Sequence, residues 1–227
     1  MNEALERAKE RATDGNAPSP AEQDMEAKKR LDIIDGARRV FFHKGFDGAS
    51  MDEIARAAAV SKATIYVYFQ SKADLFRALV EADRRQSAER LFEFDEADAD
   101  VESLLRRIGV TFMNMMIRPN HIRLVRMVFG VAEKFPAIGQ TFFETGPCHG
   151  GRRLAELLQR QVELGRLDVD DCQAAAFEFF NLCQGNQVKA LMFGVSEGPT
   201  PEDIERTVGR AVRVFLAAYG PKDKPAG

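Results

Sequence analysis

Between Ser61 and Lys72 the chain reads SKATIYVYFQSK, and this stretch holds most of the side chains whose types and spacing could do chemistry. Hydroxyls at Ser61, Thr64, Tyr66 and Tyr68 crowd together with the ammonium groups of Lys62 and Lys72. A buried helix has no use for two tyrosine hydroxyls so close to each other, and a surface helix ordinarily carries Lys, Glu and Ala. These groups suit hydrogen bonding to phosphate oxygens and base edges, which is the chemistry of DNA contact rather than of bond making. Elsewhere the chain has no Gly-rich phosphate loop, no paired-carboxylate arrangement and no Ser–His or Cys–His pair in a clear context. Catalysis is not expected, and no cofactor is implied. Cys148, Cys172 and Cys183 are widely spaced and odd in number, which argues against a disulfide framework. Cys148–His149 has no second ligand pair at metal-binding spacing, so no metal is expected either.

The elements that must position these groups are short helices with strong start signals. Ser50-Met51-Asp52-Glu53 has the form of a capping box, and about two helical turns follow it. Val60-Ser61 interrupts, Ser61 caps KATIYVYF, and Ser71-Lys72-Ala73-Asp74 starts the next helix. Ile54, Ala55 and Ala58 face inward, Val60 plugs the angle, and Ile65 and Phe69 form the core side of the second helix. Upstream, Ser19-Pro20-Ala21-Glu22 is a further capping box with proline at the first helical position. Leu31, Ile34, Ala37 and Phe41 then recur at helical spacing as one apolar stripe. That helix is expected to end at Gly45 in a left-handed conformation, with Phe46 folding back onto Phe41. The arrangement is a helix-turn-helix within a three-helix unit, feeding a long helix.

No strand-like alternation of useful length occurs, so the fold is expected to be all-α. Three regions are expected: a mobile N-terminal tail over 1–19, a helix-turn-helix DNA-binding domain over 20–78, and a larger helical effector-binding and dimerisation domain over 79–220. Helical patterns cover about 72–93, 100–117, 119–133, 135–146, 147–164, 171–193 and 201–219. The net charge of −3 is uneven, since residues 26–77 carry 10 Lys and Arg against 7 Asp and Glu. A basic segment in an acidic chain fits a nucleic-acid face. No apolar run reaches the roughly 18 residues that would cross a bilayer, and the N-terminus is too charged for a secretory signal. A cytoplasmic protein that does not enter membranes is expected.

Residues 33–79, IIDGARRVFFHKGFDGASMDEIARAAAVSKATIYVYFQSKADLFRAL, resemble the DNA-binding domain of the TetR family of transcriptional repressors. The resemblance rests on F-x-x-x-G-F, the I-A-x-x-A-x-V-S turn, T-I-Y-x-Y-F and S-K-x-x-L. It departs at Ala59 and Ala63, where the family often has glycine; an ordinary backbone conformation is expected at Ala59. The resemblance implies DNA contact by Lys62, Thr64, Tyr66, Val67, Tyr68 and Lys72, and a phosphate contact near Ser50. Lys62 and Val67 are expected to read bases, whereas Thr64, Tyr68 and Lys72 position the backbone.

In the C-terminal two-thirds, Phe112, Met113, Met116, Met127, Phe142 and Phe143 offer adaptable apolar walls. His121, Arg123, Asn181 and Gln184 are polar residues in apolar context that could orient a ligand. The resemblance implies a small lipophilic effector here, and RLVRMVFGVAEKFPAIGQTFFETGP is similar to a subgroup of efflux-type repressors. Two helical stripes are expected to pair subunits: Leu154, Leu157, Leu158 and Gln161 on one, Phe180, Gln187, Val188 and Leu191 on the other. Together these readings describe a homodimer that binds a roughly palindromic double-stranded operator, represses transcription and is released by the effector. An activator or ligand-independent regulator of the same fold is the alternative, as is a helical interaction protein that no longer binds DNA.

Overall fold

The computed structural model describes residues 19–92 and 100–221; the expected tail over 1–19 lies outside these except for Ser19. Within them every regular element is helical. The helices are α1 (Pro20–Gly48), α2 (Met51–Ala57), α3 (Lys62–Tyr68), α4 (Lys72–Leu91), α5 (Val101–Met116), α6 (Pro119–Ala132), α7 (Pro136–Phe143), α8 (His149–Glu163), α9 (Cys172–Gln184), α10 (Gln187–Phe193) and α11 (Pro201–Tyr219).

Local chemistry accounts for most boundaries. Ser19, Ser50 and Thr200 form reciprocal capping boxes with Glu22, Glu53 and Asp203, satisfying donors that the first helical turn leaves unpaired. Asp100 and Asp171 cap α5 and α9. At Gly45 α1 kinks with φ 74° and an extended ψ of 176°, then runs one more short turn to Gly48. Phe46 consequently stacks on Phe41 with ring centroids 5.9 Å apart. The Gly146-Pro147 sequence does not break the chain direction. A π-turn over Glu144–Cys148 carries the backbone from α7 into α8, and its wider loop accommodates a proline without an N–H to give. The expected single helix over 171–193 is divided at Gly185, where φ is 49°.

Two apolar clusters hold the molecule together. The first gathers Ile33, Ile34, Ala37 and Phe41 of α1 with Ile54, Ile65, Phe69, Phe76 and Leu79. Leu31, expected in the α1 stripe, is 55% exposed, and Ile33, two residues on, takes an inward position. Leu124, Val128 and Val131 of α6 and Ile138 of α7 belong to this same cluster. The second cluster combines α5, α8, α9 and α11 around Phe179, which packs edge-on against Phe215 at 5.4 Å.

The α2–α3 turn departs from expectation. Ala59 adopts φ 54°, the left-handed region that favours glycine. The cause is a Schellman closure of α2, in which Val60 N–H donates to the Ala55 carbonyl at 3.0 Å and Ala59 N–H to the Arg56 carbonyl at 3.2 Å. Without a left-handed residue at this position α3 would leave α2 at another angle. Replacing Ala59 with glycine is therefore expected to stabilise the protein by about 1 kcal/mol, read as a higher urea midpoint with an unchanged slope.

Candidate nucleic-acid interface and effector region

The candidate recognition surface is the outward side of α3. Ile65 and Phe69 are buried in the first cluster and fix the helix, while Tyr66 and Val67 stand 47% and 65% exposed. Lys62 is exposed and reaches Asp52 of α2 at 3.0 Å, an ion pair that raises the lysine pKa and joins the two helices. Ala63 of this short element and Gln70 just beyond it are also exposed. Thr64 and Tyr68 are half-buried. Tyr68 packs against the first cluster, and burial pushes its hydroxyl pKa upward.

Several expected donors are already engaged. Ser61 Oγ accepts from Thr64 N–H at 3.0 Å and lies 2.7 Å from Thr64 Oγ1. Ser50 Oγ donates to Glu53 Oε2 at 3.0 Å, and Lys44 also binds the Glu53 carboxylate. Lys44 and Ser50 together hold that carboxyl below its usual range. Both serines thus act first as caps.

Lys72, expected to face phosphate, is already engaged within the chain. Its three ammonium donors go to carbonyls of the kinked α1 terminus: Phe46 at 2.7 Å, Ala49 at 2.9 Å and Asp47 at 3.3 Å. Its nitrogen also sits 4.6 Å from the Phe46 ring centroid. A lysine has no fourth donor, so this side chain fastens α4 to the end of α1 instead of pointing a free ammonium outward.

One basic feature was not singled out from the sequence. Arg30 of α1 lies over the Phe69 ring at 5.2 Å, at the C-terminal end of α3, and Lys28 and Lys29 precede it on exposed positions. The Lys-Lys-Arg run was the available signal.

The expected effector residues do not share one cavity. Phe112 and Met113 are buried in the second cluster, Phe112 with its ring 4.4 Å from Phe180, and Met116 packs beside them. Met127 and Phe142 pack on the first cluster. Phe143, Asn181 and Arg123 are exposed, and Gln184 is half-buried. Arg123 and Met127 do meet Phe41, Phe42, His43, Gly45 and Arg126 around an open cleft of about 390 Å³ between α1 and α6. His121 is buried against Arg84.

Burial, with the neighbouring Arg84 charge second, depresses the His121 pKa to about 3 from the ordinary 6.5; Arg118 lowers it further and Asp83 opposes. The folded chain therefore binds this proton less readily than the unfolded chain. The resulting stability is fully present above pH 6.5 and is lost as pH falls towards 3. Between pH 7 and 5 the wild type is expected to lose about 2 kcal/mol relative to His121→Gln, measured by urea unfolding at both pH values.

The residues expected at the subunit interface are largely covered within one chain. Leu154, Leu157, Leu158 and Gln161 of α8, with Phe180 of α9 and Val188 of α10, are buried within their own chain. Their stripes face the second cluster, because α8 and α9 pack on each other and α9 packs on α11 and α5. Gln187 and Leu191 are half-buried, and Gln187 donates to Thr207 Oγ1 at 3.2 Å. An amphipathic stripe says that a face is covered, not by which chain.

Among the described residues no three His, Cys, Asp or Glu side chains gather as for a metal ion, and no helix is long and apolar enough to cross a membrane.

Comparison with known proteins agrees with this geometry. Residues 33–79 match the family model "Bacterial regulatory proteins, tetR family", and residues 103–221 match "AefR-like transcriptional repressor, C-terminal domain". A putative TetR-family regulator from Mesorhizobium loti superposes with a TM-score of 0.81 at 27% identity, covering 86% of this chain and 98% of that one. The Flavonoid-responsive Regulator FrrA superposes at 0.76 with 32% identity, covering 87% and 100%. The transcriptional regulator AcrR of Shigella flexneri is 32% identical over 97 residues, 42% of this chain and 45% of AcrR. The HTH-type transcriptional regulator TtgR of Pseudomonas putida is 24% identical over 66% of this chain and 75% of its own. The chain spans 45–59% of the length of the first relatives that it matches. A helix-turn-helix held by Ile65 and Phe69, a helical C-terminal domain and both family models lead to one statement: the chain belongs to the TetR family of transcriptional regulators.

Proposed function

We propose that the protein is a ligand-responsive repressor that binds a roughly palindromic operator as a homodimer in the cytoplasm and leaves it when a small molecule binds. The observation that carries the DNA reading is the exposure of Tyr66 and Val67 on a helix whose opposite side, Ile65 and Phe69, is buried. In this reading Val67 and Lys62 meet base edges, with Lys62 exchanging Asp52 for DNA. Tyr66, Thr64 and Tyr68 position the backbone, and Ser50 and Ser61 set the helix starts. Lys28, Lys29 and Arg30 supply phosphate contacts beside α3. Lys72 acts indirectly, by holding α4 to α1.

A second copy is required because one short helix reads too few bases. Two related helices about 34 Å apart would fall on successive turns of DNA. Exposed Leu182 of α9, Phe193 at the end of α10 and Val214 of α11 are the apolar side chains offered to that copy. Response to a ligand is supported by the sharing of the first cluster between the DNA-reading unit and α6–α7, so a shift of α6 is felt at α1. A structural relative is named for its response to flavonoids.

The test is fluorescence anisotropy on DNA upstream of the protein's own gene. Val67→Ala is expected to weaken specific binding about tenfold and leave binding to unrelated DNA unchanged. Equal loss on both DNAs would move Val67 from base reading to general positioning, and no binding at all would favour an interaction protein. An operator complex indifferent to every small molecule tried would remove the sensor half.

A further inference from the structure

Away from the recognition surface, the most deeply buried polar pair joins Arg84 of α4 to His121 of α6, at 4% and 5% exposure. Arg84 Nη2 lies 3.0 Å from His121 Nδ1 and 2.8 Å from Asp83 Oδ2. A guanidinium only donates, so Nδ1 must accept and the imidazole proton must sit on Nε2. That Nε2–H and the Arg84 Nε–H are both buried and have no hydrogen-bond partner. Unpaired buried donors are costly, and proteins rarely keep two in contact without a reason.

The surrounding charge has the same sense. Asp83 serves two guanidiniums, Arg84 and, at 2.9 Å, Arg38 of α1, which also leans on the exposed Asp35. Arg118 adds positive potential at His121. The neighbours add no acceptor: an aromatic ring and a glycine pack on Arg84. The Phe142 ring centroid is 5.1 Å from the Arg84 guanidinium carbon, and a Cβ at Gly146 would meet Arg84 Cδ at 3.0 Å. Gly146 belongs to the π-turn, a geometry that recurs at functional sites.

We propose that Arg84 and His121 form the polar end of the effector site, and that the effector is an organic anion, a carboxylate or phenolate on an apolar body. The proposal rests on the reading of the chain as a ligand-responsive regulator and adds the class of ligand. An anionic oxygen accepts from both orphaned donor types and balances the excess guanidinium charge, whereas an amine can only repel them. The anion also competes with Asp83 for Arg84. Since Asp83 holds Arg38, binding redistributes ion pairs between α4 and α1, which carries the event towards the DNA-reading unit.

The full-length protein is titrated calorimetrically with 2-naphthoate, 2-naphthylmethanol and 2-naphthylmethylammonium, three probes with one apolar body. The carboxylate is expected to bind at least tenfold more tightly than the alcohol. Arg84→Met should abolish that preference, and Arg84→Lys, which keeps the charge but not the fork, should retain part of it. Thermal unfolding checks that each variant is folded. If Arg84→Met does not fold, the wild-type ratio together with Arg84→Lys decides. Equal or tighter binding of the alcohol or the ammonium overturns the proposal, as does a preference that survives Arg84→Met or no binding of any probe. Operator release is read in parallel. Release by a neutral compound with no carboxylate binding sinks this inference alone, whereas Arg84-dependent naphthoate binding that never affects DNA sinks the ligand-responsive reading.

Discussion

Gly36→Ala is expected to destabilise the protein by about 3 kcal/mol and to abolish operator binding. A Cβ at Gly36 would lie 2.6 Å from Ala58 Cβ and 2.7 Å from both Ala58 Cα and Ala58 N. Two of those three atoms are backbone at the end of α2, so no side-chain rotation relieves the clash. Either α2 moves away from α1 or the turn at Ala59 opens, and overpacking of this kind sits at the upper end of its usual cost of about 1–3 kcal/mol. Moving α2 also moves α3, because Ile54 and Ile65 share the first cluster. The control is Gly130→Ala in α6, where a Cβ would meet nothing within 4 Å. There the better helix propensity of alanine should raise stability by up to about 1 kcal/mol. Chemical denaturation and anisotropy on the same samples check both. A Gly36→Ala protein as stable as wild type would mean that the α1–α2 approach is looser than 2.6 Å implies.

Lys72→Met is expected to cost about 2–3 kcal/mol. The substitution keeps an aliphatic stem but deprives three carbonyls at the end of α1 of a charged donor. Hydrogen bonds to a charged group contribute about 1.5–3 kcal/mol, and the carbonyls left behind add a penalty of their own where they are buried. The cation–π contact with Phe46 is lost as well. Had the ammonium been free for phosphate, the same variant would leave stability unchanged and lower the salt slope of DNA binding by about 1. Denaturation and a salt titration therefore separate the two roles. Unchanged stability with a shallower slope would restore the phosphate role.

These two residues mark where sequence reading reaches and where it stops. Ser19, Ser50 and Ser61 were legible as caps because their partners lie three residues away. Ile65 and Phe69 were legible as core because helical spacing alone pairs them. The anchoring of Lys72 was not legible, because its partners are carbonyls at 46, 47 and 49, which only the folded kink at Gly45 brings near. Ala59 was misread because residue type argued against a positive φ that the hydrogen bonds of the turn require. Leu154, Leu157 and Leu158 were legible as one apolar stripe, but periodicity gives a buried face without naming what covers it, and here it is the same chain. Arg84 was not singled out at all. Its partner stands 37 residues away, and nothing local distinguishes it from a surface arginine.

The membership of the first cluster has a consequence for modularity. Leu124, Val128, Val131 and Ile138 fill the same apolar volume as Ile33, Phe41 and Phe76, and Phe46 meets Phe135 at 5.5 Å. A head cut out at residue 78 would carry an open wound where α6 and α7 belong. Grafting it onto another regulator's body would require that body to supply matching side chains at those positions. The helix-turn-helix unit and α6–α7 thus share one core, so substitutions on either side must keep the other's packing.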